Sequence, residues 1–157
     1  MGYEWICLKR GCLVNFTGKV SGVVLSDLAD QVYQLDLCGK KDFLVLDFSQ
    51  AIMDADGSSV PLFAGFLATY SNTYQSEDFH FVVIGGPELI YFVEQLNFYM
   101  SAFNSRWKIK HFPLFSSACR FLDMDPGKVN QGSHCHVFKS HELYTHPEIE
   151  REKGNSH

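Results

Sequence analysis

The sequence contains no uninterrupted run of 18 apolar residues, so it predicts no transmembrane helix. It has 13 Lys and Arg against 18 Asp and Glu, and therefore lacks the excess of cations that a nucleic-acid partner requires. Its first residues, Met-Gly-Tyr-Glu-Trp, lack the basic and apolar blocks of a signal peptide and the hydroxyl residue of a myristoylation site. We therefore expect a cytoplasmic protein that neither binds nucleic acid nor inserts into a membrane.

The cysteines form no Cys-x-x-Cys pair, and their number, five, is odd. This pattern is not typical of a disulfide scaffold, so we predict free thiols in a reducing compartment. Most of them lie in or beside apolar runs, where Cys acts as a small core residue. The five are Cys7, Cys12, Cys38, Cys119 and Cys135.

Hydrophobic residues make up 46% of the 157 positions and include 14 Phe, which is enough material for one domain with a core. Apolar runs bounded by turn residues alternate with helical patterns from residue 3 to residue 124. Ser26 and Ser116 are predicted to cap the first and last helices, and the run from Asp42 to Phe48 predicts a central strand. The order β-β-α-β-α-β-α-β-α predicts an α/β fold: a mixed, mainly parallel five-stranded sheet with about four helices.

Residues 125–157 differ in character from residues 1–124, because they are polar and contain few large apolar groups. We interpret them as a His-containing tail that is partly disordered. The sequence His134-Cys135-His136 offers metal ligands, but zinc sites prefer paired ligands on a folded support, so we expect no metal site.

The stretch from Leu44 to Gly57 combines a buried strand, a short polar loop and the start of a helix. Its end, Asp54-Ala55-Asp56-Gly57, resembles the signature loop of STAS domains, the sulfate transporter and anti-sigma factor antagonist family. Thr17-Gly18-Lys19-Val20, Val82-Val83-Ile84-Gly85 and Phe115-Ser116-Ser117-Ala118 are similar to other segments of that family, in the same order. The resemblance implies the STAS fold over residues 1–124 and a non-enzymatic bacterial regulatory module without a cofactor.

In the family, the loop usually reads Asp-Ser-Ser-Gly or Asp-Ser-Thr-Gly, and its second hydroxyl residue is the phosphorylation switch. Here Ala55 replaces the first hydroxyl residue and Asp56 occupies the switch position. Ser21 matches a position that is an Asp in many signalling members. The resemblance implies a partner of the anti-sigma or switch kinase type, or another STAS protein. The implied docking residues are Ser21, Asp54, Ala55, Asp56, Gly57, Ser58 and Ser59.

The first amides of a helix lack internal acceptors and carry partial positive charge, so an anion is stabilised there. Asp56 at this position either imitates part of the charge of a phosphate or acts only as a helix N-cap; these readings are compatible. Asp54 is expected to accept backbone hydrogen bonds within the loop. Gly57 is expected to serve a close approach or an unusual backbone angle, and Ser58 and Ser59 are alternative phosphoacceptors.

The same resemblance is compatible with two other functions. One is a sensor that binds a nucleotide or small ligand at the loop, and the other is a subunit of a membrane lipid or anion transport complex. An enzyme is disfavoured. Asp42 and Asp47 join Asp54 and Asp56 as carboxylates, but no Lys, Ser-His pair or phosphate-cradling Gly loop accompanies them.

One segment is aromatic on several faces of its predicted helix. Phe92, Phe98, Tyr99, Met100 and Phe103 either pack in the core or form a partner surface for a homodimer or a partner helix.

Overall fold

In the computed structural model, residues 2–32, 41–73, 79–131 and 133–139 are described. Their strands are β1 (Gly2–Cys7), β2 (Gly11–Val20), β3 (Phe43–Met53), β4 (His80–Ile84), β5 (Ile109–Phe112) and β6 (Ser133–Lys139). Their α-helices are α1 (Gly22–Val32), α2 (Ser59–Thr73), α3 (Leu89–Ala102) and α4 (Phe115–Leu122), and a 3-10 helix spans Pro126–Gln131. None of these helices is long and apolar enough to cross a membrane.

The strands form one mixed sheet in the order β5-β4-β3-β2-β1-β6. Strands β2 to β5 are mutually parallel, whereas β1 is antiparallel to both β2 and β6. The predicted α/β class, parallel core and element order are therefore confirmed.

The sheet has a sixth strand where the sequence predicted five. Backbone pairing with β1, from Gly2 opposite Lys139 to Cys7 opposite Ser133, holds β6 at the edge. This strand was missed because its residues carry no long apolar run, whereas an edge strand is specified largely by backbone hydrogen bonds. Residues 140–157 lie outside the described residues, so the division into a domain and a partly disordered tail stays a prediction.

Both faces of the sheet are covered, which explains the continuous apolar run in β3. Leu44, Leu46 and Phe48 belong to a core shared with α1, α2 and α3, and Phe43 and Val45 belong to a second core shared with α4. Side chains alternate between the faces of a strand, so a strand buried on both sides needs apolar residues at successive positions.

Two predicted helix caps are wrong. Helix α1 begins at Gly22, and Ser26 is an exposed position inside it. The amide of Leu25 donates to the carbonyl of Ser21 at 3.1 Å, so the first helical bond forms five residues earlier than predicted. In α4 the N-cap is Leu114, in an extended conformation, rather than Ser116. In both helices, burial of apolar side chains near the first turn outweighs the local preference of Ser for a cap.

The described cysteines only partly match their prediction. Cys12 and Cys119 are buried thiols, as predicted. Burial raises the pKa of the Cys119 thiol, with a smaller contribution from the charge of Asp125. Cys7 is disulfide-bonded, so the prediction is wrong for this residue. Spacing along the chain does not report distance in the fold, which is why the pattern could not reveal this bond. Cys38 and the side chain of Cys135 lie outside the described residues.

Candidate functional site

The signature loop lies at the edge of the sheet where β2 and β3 end. Strand β3 continues to Met53, further than the predicted end at Phe48, because its last residues pair with Thr17–Val20 of β2. A register shift between Asn15 and Thr17, and a left-handed backbone at Gly18 (φ 71°), accommodate this extension. The loop itself is therefore confined to residues 54–58.

Two helix N-termini meet at this edge. The amide of Asp54 donates to the carbonyl of Val20 at 2.9 Å, which brings the loop against the chain that leads through Ser21 into α1. A Cβ added to Gly22 would lie 2.3 Å from Oγ of Ser59, so the first residues of α1 and α2 are in contact. The structure thus brings together all the docking residues predicted from the resemblance: Ser21, Asp54, Ala55, Asp56, Gly57, Ser58 and Ser59.

Asp56 caps the start of α2 with one carboxylate oxygen. Its Oδ1 accepts hydrogen bonds from the amides of Ser58 and Ser59, at 3.1 and 3.0 Å. The same oxygen accepts the hydroxyls of Ser58 and Ser59, at 2.8 and 2.9 Å. The amide of Ser59 also donates to the backbone carbonyl of Asp56 at 3.1 Å. The capping reading therefore has direct geometric support, and the side chain remains exposed to solvent.

These bonds favour the charged form of Asp56. The hydroxyls of Ser58 and Ser59, followed by the amide of Ser59, hold the pKa of this carboxyl below its usual value. The loop therefore presents a full negative charge at neutral pH, at the end of α2 where the partial positive charge of the helix lies.

The lowered pKa predicts how stability depends on pH. A carboxylate whose pKa is lower in the folded state stabilises the protein fully above its unfolded pKa of about 3.9 and loses this contribution as the pH falls through the folded value. Asn keeps a capping oxygen but has no charge. We expect Asp56→Asn to melt slightly below the wild type at pH 7, and the two melting temperatures to converge below about pH 4. Thermal denaturation monitored by circular dichroism measures both; a gap that persists unchanged at acid pH would contradict the role of the charge.

The other loop residues have different roles from those predicted. The loop is held by the backbone amide of Asp54, and no hydrogen bond to the Asp54 carboxylate is found within the described part of the chain. A Cβ on Gly57 would meet no atom within 4 Å, and its φ is not positive, so neither predicted reason for glycine holds. Ala55 is half-buried and packs against the core, an environment that suits its methyl group.

Sequence reasoning missed two neighbours of the loop. Gly22 is needed for the contact with Ser59, and the small pair Ser21-Gly22 is the signal that could have indicated it. Ile52, opposite Lys19 at the tip of β3, is a large apolar side chain left exposed. Its position on a strand could not be predicted, because the sequence pattern placed the end of β3 at Phe48.

The remaining carboxylates do not join Asp56 in a site. Asp42 pairs with Arg10 at 3.3 Å, beside the first residue of β3, and Oδ1 of Asp47 accepts the amide of Ser49 at 2.9 Å. Across the described ranges, no group of three or more His, Cys, Asp or Glu is arranged to hold a metal ion. The side chains of His134, Cys135 and His136 lie outside those ranges.

A cavity of about 610 Å³ lies at the opposite edge of the sheet from the loop. Leu8, Phe43 and Met124 supply its apolar wall. Lys9, Arg10, Asp123, Asp125 and Lys128 supply charges of both signs. Because these charges nearly balance, the cavity does not indicate a particular class of ligand, and it gives no support to ligand binding at the loop.

One of three comparisons with known proteins found a similarity, and it concerns the fold. No protein-family model matches the chain, and none of the curated proteins is similar to it in sequence. Among solved structures, the chain is similar to the anti-sigma factor antagonist SpoIIAA in its unphosphorylated form, with a TM-score of 0.52 and 9% identity. The similarity covers 78% of this chain and 98% of that one, and at this identity it concerns the fold alone. The chain therefore has the STAS-like fold of the anti-sigma factor antagonists.

Proposed function

We propose that this chain is a non-enzymatic regulatory module of bacterial type that docks a partner on the surface around Asp56. The proposed partner is an anti-sigma or switch kinase-like protein, or another STAS protein. The observation that carries the proposal is the exposed, hydrogen-bonded carboxylate of Asp56 at the N-terminus of α2. The similarity in fold to an anti-sigma factor antagonist supports the choice of partner class.

The proposed role of Asp56 is a permanent negative charge. A phosphoserine at the start of a helix adds nearly two negative charges and three acceptor oxygens, whereas an aspartate adds one charge and two oxygens. Asp56 therefore imitates part of a phosphorylated state and does not accept a phosphate from a serine kinase. Such a charge recruits a partner with a basic patch and repels one with a neutral or acidic patch.

The hydrogen bonds of the loop argue against Ser58 and Ser59 as alternative phosphoacceptors. Both hydroxyls donate to Oδ1 of Asp56, so a kinase would have to break this contact to reach either one. A phosphate on either hydroxyl would also lie next to the Asp56 carboxylate, where like charges repel. The proposal therefore treats both serines as supports for Asp56.

Partners of this class act inside the cell, so the proposal places the chain in the cytoplasm. The Cys7 disulfide is the observation that opposes this location, because structural disulfides are rare in reducing compartments.

Reversal of the charge at residue 56 tests the proposal. The anti-sigma and switch kinases encoded in the same genome are titrated with the wild type, Asp56→Lys and, as control, Asp30→Lys, which changes an exposed carboxylate of α1. We expect Asp56→Lys to change the dissociation constant of at least one kinase by about 10- to 100-fold, downward for an acidic patch and upward for a basic one. The control should stay within about twofold. Equal affinities for all three proteins, or binding to none of the kinases, would refute the proposal.

A further inference from the structure

The outer surface of α2 and α3 carries almost no charge. Charged residues make up 20% of the chain, yet the 15 residues of α2 include none and the 14 residues of α3 include only Glu94. Helices on the surface of a monomeric protein ordinarily turn a charged or polar face to water. These two helices therefore have an unusual outer face.

Large apolar side chains occupy this face. Six of them are between 41% and 70% exposed. We call them the α2–α3 face: Leu62, Phe66, Ile90, Tyr91, Phe98 and Phe103. By contrast, Phe92 and Met100 of the predicted aromatic segment are buried in the core, so that segment divides between core and surface.

The two helices present one continuous surface rather than two separate stripes. Helices α2 and α3 pack against each other. The ring of Phe103, just after α3, lies 3.7 Å from the position that a Cβ on Gly65 of α2 would take. On α3, the ring of Phe98 meets the half-buried ring of Tyr99 edge-on at a centroid distance of 5.3 Å. The ring of Phe103 thus joins the apolar residues of α3 to those of α2.

The size of this face is close to what a dimer requires. Buried aromatic side chains contribute about 150–250 Å² each, so the exposed fractions of these six side chains amount to roughly 600 Å². That is at the upper end of the apolar patches on ordinary monomers, about 300–600 Å². It is somewhat smaller than the roughly 800 Å² per partner of a standard interface.

We infer that the α2–α3 face is the interface between two copies of this chain. Each copy has a formal charge of −5, so two copies repel each other, and they repel least when they meet through surfaces that carry little charge. A two-fold interface brings one patch against itself, and an apolar patch with a single charge is more compatible with itself than a patch rich in charges of one sign. The face carries one charged side chain, Glu94, which is exposed one helical turn from both Ile90 and Phe98. A single carboxylate is not the charged patch that would select a partner of opposite charge.

This interface is separate from the docking surface of the proposed function. None of the six residues is a docking residue, but Leu62 lies one turn after Ser59 in α2. Phe98, on α3, is therefore the position that tests dimerisation without touching the docking surface, and either proposal can fail while the other stands. Variants of the α2–α3 face test dimerisation, and variants of Asp56 test docking.

Sedimentation equilibrium of the full chain is the direct test. Between about 1 and about 100 µM, we expect the mass to rise from 17.9 kDa toward twice that value, as for an interface of this size and modest affinity. Higher salt should strengthen the association, because it screens the repulsion between the copies. Leu62→Glu and Phe98→Glu should each weaken it by at least about tenfold, because each places a desolvated charge in the interface.

Leu114→Glu is the matched control. Leu114 is 61% exposed, against 67% for Leu62, but it lies before α4 on the other face of the sheet. Its substitution should leave the association unchanged, and circular dichroism checks that all variants are folded. A wild type that stays monomeric throughout would overturn the inference. So would a dimer that neither face variant weakens, or one that Leu114→Glu weakens equally.

Discussion

Replacement of Phe48 by alanine is expected to lower the free energy of unfolding by about 3–5 kcal/mol. Phe48 is buried, its ring stacks on Phe16 of β2 at a centroid distance of 4.3 Å, and it meets the edge of Phe92 in α3 at 5.9 Å. Truncation removes both ring contacts and leaves a cavity that the surrounding strands and helix cannot close. The loss arises where β3 leads toward the signature loop, so it reports on the scaffold that positions Asp56.

Urea denaturation measures this effect. The matched control is Leu114→Ala, which truncates an exposed apolar side chain and should change the free energy of unfolding by no more than about 0.5 kcal/mol. A loss below about 1 kcal/mol for Phe48→Ala would mean that the ring is not enclosed between sheet and helix as described.

The parallel core of the fold could be predicted from the sequence because its signals are strong and local. The apolar run of β3 is long enough to require burial on both faces, and the alternation of strands and helices then leaves little choice of topology. Strand β6 could not be predicted in this way. It is joined to the edge of β1 by backbone bonds, which leave little trace in side-chain pattern.

Errors in the predicted details have a common physical origin. Ser26 and Ser116 are good capping residues, but packing of the neighbouring apolar side chains moved both helix starts toward the N-terminus. Likewise, β3 continues to Met53 because its last residues pair with the end of β2, and no local sequence pattern indicates this pairing. Tertiary contacts decided each of these cases.

The candidate site was located by resemblance, but its chemistry came from the structure. The position of Asp56 at the N-terminus of α2 follows from the order of strand, loop and helix, which could be predicted from the sequence. The four hydrogen bonds that Oδ1 of Asp56 accepts from Ser58 and Ser59 could not be predicted from the sequence. The same is true of the contact between Gly22 and Ser59, because both depend on the folded arrangement of the chain. The role predicted for Asp54 was wrong because its backbone amide, rather than its carboxylate, bonds to β2. The role predicted for Gly57 was wrong because the space beside its Cα is open.

The proposed function rests on a fixed negative charge at residue 56, the position that the resemblance to STAS domains aligns with a phosphorylatable hydroxyl. Asp56→Ser restores a hydroxyl at the switch position, and Ser also retains the capacity to cap α2. A kinase that docks on this surface can then phosphorylate the variant, which mass spectrometry detects at residue 56. Wild-type protein, treated in the same way, should gain no phosphate at Ser58 or Ser59.

The most direct measurement is the affinity of one partner kinase for three forms: wild type, unmodified Asp56→Ser and phosphorylated Asp56→Ser. The account predicts that the wild-type affinity lies between the other two and nearer the phosphorylated form, with the two serine forms differing by at least about tenfold. A wild type that binds like the unmodified serine variant would contradict it, because the carboxylate at residue 56 would then have no influence on the partner.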